Sequence, residues 1–330
     1  MNKMNGINLL VYIPAFNEAA QIETVIKSIP KKIPGAETVR ILVVDDGSTD
    51  ETAELARKHG ATVLSHWRNE GVGAAFQSAV NYAWENNANI LVGIDADGQF
   101  DPDEIPMLIR PVLAGEAEMV VGNRFHSGKP EHMPKVKFWG NRMVAKLISR
   151  VSGHQFADVS CGFRAYSRKA LLHMNLFGKF TYTHESILAL IYKGLSVVNL
   201  PIRIHYFPER KSRVAGSIGN YLVKTATIIL RVLLDYKPLR MFGVFGMLLL
   251  LIGMGFFVFL VITFLINGSF TPYRSAGFIS LGFIIFGLLV LLLAMLADML
   301  NRLRLNQDRI LVELKKRDEP KGAGPKWYVK

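Results

Sequence analysis

Two stretches without a formal charge restrict what this chain can fold into more than any other feature. From Met241 to Tyr273 there is no Asp, Glu, Lys or Arg, and after Arg274 the chain is uncharged again from Ser275 to Ala297. About 20 apolar residues cross the hydrocarbon of a bilayer, so residues 241–266 and 276–297 are each long enough to span one. The competing reading is a pair of helices buried in a soluble core. Such helices rarely run so long without a charge, and a transmembrane hairpin is the expectation.

Orientation follows from the flanking cations. Lys224, Arg231, Lys237 and Arg240 precede the first span, and Arg302, Arg304, Arg309, Lys315, Lys316 and Arg317 follow the second, whereas the linker carries Arg274 alone. The excess of Lys and Arg on the cytoplasmic side of such proteins places residues 1–216 and the basic tail, residues 298–330, in the cytoplasm. The expected location is a cell membrane, or the endoplasmic reticulum in a eukaryote. Between them, residues 217–238 set Ile218, Tyr221, Leu222, Ile228, Ile229, Val232 and Leu233 on one face. That pattern suits an amphipathic helix lying in the membrane interface, the favoured reading, or one packing its apolar face on the catalytic domain. Small residues in the spans, Gly243, Gly246, Gly253 and Gly255, permit close helix packing and leave a homo-oligomer open.

Before the spans the composition is that of a soluble domain. Cys161 is the single cysteine, so no intrachain disulfide forms and a reducing compartment is expected. The apolar run Ile7–Ile13 ahead of Pro14 is too short for a signal peptide and reads as a first strand. Strand and helix patterns then alternate: "INLLVYIP", "EAAQIETVIKSI", "VRILVVDDGS", "TDETAELARKHG", "ATVLSH", "GAAFQSAVNYAWENN", "NILVGIDADG". Thr49 is the expected N-cap of the second helix and Gly60 its stop. This alternation implies an α/β fold with a mostly parallel sheet covered on both faces.

Ligands of such sheets bind beyond the carboxyl ends of the strands. Here those ends carry Asn17 and Glu18, then Asp45 and Asp46, then Asn69, then Asp95 and Asp97. Two aspartates one residue apart on extended backbone point to the same side. Hard oxygen ligands of that kind suit Mg²⁺ or Mn²⁺ when substrate phosphates complete the shell. Rival readings fail on spacing. A calcium loop starting at Asp95 needs glycine where Phe100 stands and glutamate where Pro106 stands. "GVGAAF" lacks the third glycine of a dinucleotide fingerprint and does not follow the first strand. The net charge of +12 gathers beside the spans, which argues against nucleic acid as the partner.

In order and spacing, "YIPAFNE", "VVDDGSTDET", "NEGVGAA", "DADGQFDP", "VGNRF" and "DVSCGFRAYSR" resemble the GT-A glycosyltransferases of the polyprenyl-phosphate branch, relatives of dolichyl-phosphate mannosyltransferases and undecaprenyl-phosphate glucosyltransferases. The resemblance covers about Ile7 to Arg213. It implies nucleotide-sugar contacts from Pro14, Ala15, Glu18, Asp46, Asp95 and Gln99. It implies a Mg²⁺ or Mn²⁺ site at Asp95, Asp97 and Gln99, with Asp97 the direct ligand. Arg124 falls near the donor phosphates. Asp158, Gly162, Phe163 and Arg164 fall in the acceptor-side motif, with Asp158 a base or positioning group, and Glu185 matches an acid on the following helix. Arg210, Ser212 and Arg213 match a lipid-phosphate loop, although that loop's intervening glycine is missing here, and Arg213, Gly216 and Ser217 offer a second register.

The implied reaction is inverting transfer of a hexose from a nucleotide sugar to a polyprenyl phosphate, dolichyl or undecaprenyl. GDP-mannose is favoured over UDP-glucose as donor. A membrane transferase acting on a hydroxyl acceptor and an inactive scaffold of the same fold are the competing readings.

Overall fold

The computed structural model describes residues 6–174, 182–206, 238–317 and positions 226, 227, 230 and 234. The chain divides into two compact units, Met1–Ile228 with Leu311–Lys330, and Ile229–Ile310.

The first unit is built on a seven-stranded sheet. Its elements in chain order are β1 (Asn8–Ala15), α1 (Ala19–Ser28), β2 (Thr38–Asp45), α2 (Thr52–Lys58), β3 (Thr62–Ser65), α3 (Val72–Glu85) and β4 (Ile90–Gly93). After a short 3₁₀ turn, Pro102–Glu104, come α4 (Ile105–Leu113), β5 (Met119–Asn123), α5 (Lys135–Ser152), β6 (Arg164–Ser167), α6 (Arg168–His173), α7 (Thr183–Tyr192) and β7 (Val197–Pro201). The strand order is β3-β2-β1-β4-β6-β5-β7. β1 runs parallel to β2 and to β4, in a register that sets Ala15 beside Asp45 and Tyr12 beside Gly93.

Burial explains the apolar runs. All four residues of β4 and most of β1 are buried, as expected of strands covered by helices on both faces. Phe76 of α3 fills the space above β1, its ring stacked on Tyr182 at a centroid distance of 4.1 Å. The parallel order is interrupted once. β6 lies antiparallel between β4 and β5, so its first residue, Arg164, pairs with the last residue of β4, Gly93. The segment leading into β6 therefore arrives where β4 ends.

One helix start differs from expectation. α2 begins at Thr52 with Glu51 at the cap position and no side-chain cap bond there, not after Thr49. Asp50 takes the local role instead, accepting from the Thr52 amide at 3.1 Å. The expected stop holds: Gly60 follows α2 at φ +86°, a conformation that costs glycine little.

The second unit contains α8 (Pro238–Asn267) and most of α9 (Arg274–Arg317). Each has an 18-residue window of mean hydropathy 2.9, of which only 17% and 22% is buried. Both are long and apolar enough to cross a membrane, and their largely exposed surfaces differ from those of soluble core helices. The second helix does not stop at Ala297 but continues unbroken to Arg317. Two of the expected glycines serve the packing. A Cβ on Gly253 would lie 2.8 Å from Ile284, and one on Gly246 would lie 3.1 Å from the Gly287 carbonyl. Ser280 adds a hydrogen bond to the Gly253 carbonyl at 2.8 Å. Gly243 and Gly255 meet nothing. The amphipathic stretch expected at 217–238 lies almost wholly outside the described residues, as do Arg210, Ser212 and Arg213.

Candidate active site

The loops beyond the strand ends are tied to one another before any ligand is considered. Asn17, at φ 52°, accepts from the Thr49 amide at 2.8 Å, and its own amide donates to Ser48 Oγ at 2.9 Å. The Glu18 amide donates to Thr52 Oγ1 at 2.9 Å. These bonds join the loop after β1 to the loop after β2. Asp46 then joins β2 to the turn before α3. Its carboxylate accepts from the amides of Glu70 at 3.0 Å and Gly71 at 2.8 Å, and meets His66 Nδ1 at 2.8 Å. With 5% of its surface exposed, Asp46 shapes the cleft through this turn. Its amide in turn donates to the Ala15 carbonyl at 2.8 Å. Pro14 and Glu18 stand half-buried at the rim.

Past β4, Asp95 and Asp97 are half-buried. Asp97 accepts from the Gln99 amide at 3.1 Å, and the Gln99 carbonyl accepts from the His205 amide at 2.9 Å. Gly162, two residues before β6, lies against Asp95. A Cβ at that position would fall 2.6 Å from Asp95 Oδ1, so only glycine leaves the carboxylate its space. The antiparallel entry of β6 is what brings these two motifs together.

The same segment carries a buried ion pair. Asp158, 0% exposed, accepts from Arg124 Nε at 2.6 Å and Nη2 at 2.9 Å, and from the Ser160 amide at 3.0 Å. Burial alone would raise the Asp158 carboxyl, yet the Arg124 guanidinium and the surrounding donors hold it below the ordinary carboxylate range. Ser160 Oγ accepts from Arg124 Nη2 at 2.7 Å and donates to Asn141 on α5 at 3.1 Å. The pair is thereby anchored to that helix.

Arg164 needs a correction. Expected to act on the substrate, it is 0% exposed. Its guanidinium donates to the carbonyls of Cys161 at 2.6 Å, Val159 at 2.9 Å and Thr183 at 2.8 Å, and to Ser186 Oγ at 3.0 Å. A guanidinium fully enclosed by the protein's own acceptors has no surface for a ligand. It clamps the 158–163 segment to α7 instead. Glu185 stands half-buried in the first turn of α7.

One cation in this region has no motif to mark it. Lys137, in the first turn of α5, lies 5.6 Å from the Tyr206 ring centroid. Its ammonium is pushed below the usual lysine range by burial and by Arg124, while Asp97 and Asp95 pull it back up. Lys137 therefore lies within electrostatic reach of both the Arg124 cation and the aspartate pair. Its sequence neighbours are an ordinary basic helix, so the signal is spatial only.

Among the described residues no group of three or more His, Cys, Asp or Glu side chains surrounds a single point. Two aspartates beside a space kept open by Gly162 fit a divalent cation that draws its remaining ligands from substrate phosphates and water, as Mg²⁺ and Mn²⁺ do.

Comparison with known proteins agrees with this arrangement. Residues 10–174 match the model of "Glycosyl transferase family 2". The chain is 31% identical to the UDP-N-acetylglucosamine–dolichyl-phosphate N-acetylglucosaminyltransferase of Methanococcus voltae over 60% of this chain and 86% of that protein. It is 30% identical to the polyprenol monophosphomannose synthase of Mycolicibacterium smegmatis over 64% and 81%. The glucosyl-3-phosphoglycerate synthase of Mycobacterium tuberculosis, solved with Mn²⁺ and UDP-glucose, superposes with TM-score 0.51 at 25% identity over 68% of this chain and 79% of that one. A GT-A sheet, acids beyond β4 and a matched domain covering half the chain lead to one conclusion: this protein is a glycosyltransferase and belongs to glycosyl transferase family 2.

Proposed function

We propose that the protein transfers a hexose from a nucleotide sugar to a polyprenyl phosphate at the cytoplasmic face of a membrane. The observation that carries this reading is the gathering of two charge sets in one region beyond the strand ends. Lys137 is close enough to feel Arg124 as a like charge and Asp97 and Asp95 as opposite ones, so cations and carboxylates share this region. An enzyme that joins two anions, a sugar diphosphate and a lipid phosphate, requires both. A hydroxyl acceptor would instead call for an exposed base, and the buried, doubly engaged Asp158 does not offer one.

Each residue then has a physical task. Asp46 and Asn17 hold the loops that enclose the nucleotide. Asp95, Asp97 and Gln99 would hold Mg²⁺ or Mn²⁺, which when bound neutralises charge on the diphosphate leaving group. Lys137 offers an ammonium to the incoming phosphate. Arg124 is oriented by Asp158 through two parallel bonds and supplies fixed positive potential, with no reorganisation needed at the moment of reaction. Because the acceptor phosphate is already an anion, no strong base is required, and Asp158 works by positioning. Holding both substrates in line lowers the entropic part of the barrier. The dolichyl phosphate named for one relative and the polyprenol monophosphomannose named for another support the acceptor class, and the two long apolar helices suit an enzyme whose substrate stays in the bilayer.

The test is direct. Membranes holding the protein are given labelled GDP-mannose, UDP-glucose or UDP-N-acetylglucosamine together with dolichyl or undecaprenyl phosphate, and the lipid is extracted. Label in a mild-acid-labile lipid is expected, and Asp97→Ala is expected to abolish it while the protein stays folded and membrane-bound. Label confined to polymer or diacyl lipid, or full turnover under chelation, would overturn the reading.

A further inference from the structure

The turn between β3 and α3 carries a side-chain relay that the chemistry above leaves unused. His66 Nδ1 lies 2.8 Å from Asp46 Oδ1, and His66 Nε2 lies 2.9 Å from Ser78 Oγ on α3. The His66 and Asp46 side chains are 14% and 7% exposed. A carboxylate can only accept, so in the neutral ring the proton lies on Nδ1 and Nε2 is left to accept from the Ser78 hydroxyl. The order Asp, His, Ser has the connectivity of a hydrolytic triad. Ser78, however, lies inside α3 (Val72–Glu85), whose amides are spent on the helix's own carbonyls. No oxyanion hole faces it, and the relay positions rather than attacks.

What it positions is the wall of the cleft. Asp46 Oδ1 receives the Glu70 amide as well as His66, and Oδ2 receives the Gly71 amide. Both bonds to the turn therefore depend on how this one carboxylate is rotated. The same turn rests on Gly47, at φ +75°, where a Cβ would fall 2.6 Å from the Arg68 carbonyl carbon. Residues 67–70, all exposed, are thus carried by the loop after β2, and His66 sets the angle of one support.

We propose that His66 is a positioning residue of the donor site: its Nδ1–H fixes the Asp46 carboxylate, and through it the turn 67–71 that walls the nucleotide pocket, while Ser78 supports the tautomer that can do so. A ring protonated at Nε2 would turn a lone pair toward the carboxylate and release it. The proposal rests on the functional reading only in taking the donor to be a nucleotide sugar.

The experiment uses the full chain and two substitutions that divide the ring between them. His66→Asn keeps an N–H donor where Nδ1 stood, and His66→Gln places one where Nε2 stood. In the resting chain, amide hydrogen exchange across residues 67–71 is expected to stay near native in His66→Asn and to quicken on the order of tenfold in His66→Gln. The KM for the nucleotide sugar is expected to follow, near native for Asn and raised on the order of tenfold for Gln. Turnover at saturation and the KM for the lipid phosphate should change little in either. Ser78→Ala is expected to raise the donor KM by less. Solid-state NMR of the chain with isotope-labelled histidine, at about pH 8, is expected to show a ring protonated at Nδ1 and bare at Nε2 whose signal is missing from His66→Asn. A ring protonated at Nε2, equal behaviour of the Asn and Gln chains, or a loss of turnover with the donor KM unmoved would overturn the proposal. Exchange and ring spectra need no substrate. A chain with the expected tautomer and exchange but inactive on every nucleotide sugar defeats the functional reading alone, and an active chain in which Asn and Gln behave alike defeats the positioning alone.

Discussion

Removing the Asp158 carboxylate tests whether this residue works by holding Arg124. In Asp158→Ala the guanidinium loses bonds at 2.6 and 2.9 Å, and the Ser160 amide loses its acceptor at 3.0 Å. What remains to Arg124 from this network is Ser160 Oγ at 2.7 Å, in a site where its side chain is 9% exposed. Breaking one partner of a buried pair costs about 3–5 kcal/mol. For a folded unit of this size each kcal/mol moves the melting point by roughly 2–4 °C, so a fall of about 10 °C is expected. Thermal melting of the detergent-solubilised chain, followed by near-ultraviolet circular dichroism, measures it. The double variant Arg124→Met with Asp158→Leu should regain much of that loss while remaining inactive, since an apolar pair of similar volume substitutes well for a buried ion pair. Acid sensitivity carries the same signature. The folded Asp158 titrates below its unfolded value, so its contribution is complete above the unfolded pKa near 4 and is lost as pH falls through the folded one. A melting point for Asp158→Ala within about 2 °C of the parent would refute this account.

Lys137→Met is expected to raise the KM for the lipid phosphate on the order of tenfold with little change in the donor KM, and Lys137→Arg to restore much of it, as one charge-assisted phosphate contact is worth about that much. Steady-state kinetics with each substrate varied in turn separates the two. Gly162→Ala forces the Asp95 carboxylate from its place and should lower turnover at least about tenfold while moving the melting point by only a few degrees, read as the metal-ion dependence of rate beside a melting curve.

Much of the fold was legible because its signals are local. Alternating apolar runs and helical spacing located the strands, and the charge-free stretches located two membrane-length helices. The exception among the local expectations, the start of α2, turned on which of several neighbouring polar residues reached an amide first. Asp50 accepts from the Thr52 amide while Thr49 is engaged by Asn17 of the loop after β1, a tertiary contact that residue type does not encode. Within the candidate site, Asp95 and Asp97 could be singled out because two acids one residue apart beyond an apolar strand share a side by backbone geometry alone. Arg124 and Asp158 were also singled out, but not the fact that they bind each other.

By itself, then, the order of amino acids determined the α/β class, the strand ends that form the cleft, the aspartate pair and the apolar hairpin, because each follows from periodicity or from the absence of charge within a few tens of residues. Only the tertiary structure decided what the arginines do. The antiparallel insertion of β6 between β4 and β5 brings residues distant in sequence into contact, and burial then separates an arginine enclosed by carbonyls, Arg164, from a cation within electrostatic reach of the acids, Lys137. Those outcomes depend on which distant groups share a low-dielectric space, and no local pattern carries that information.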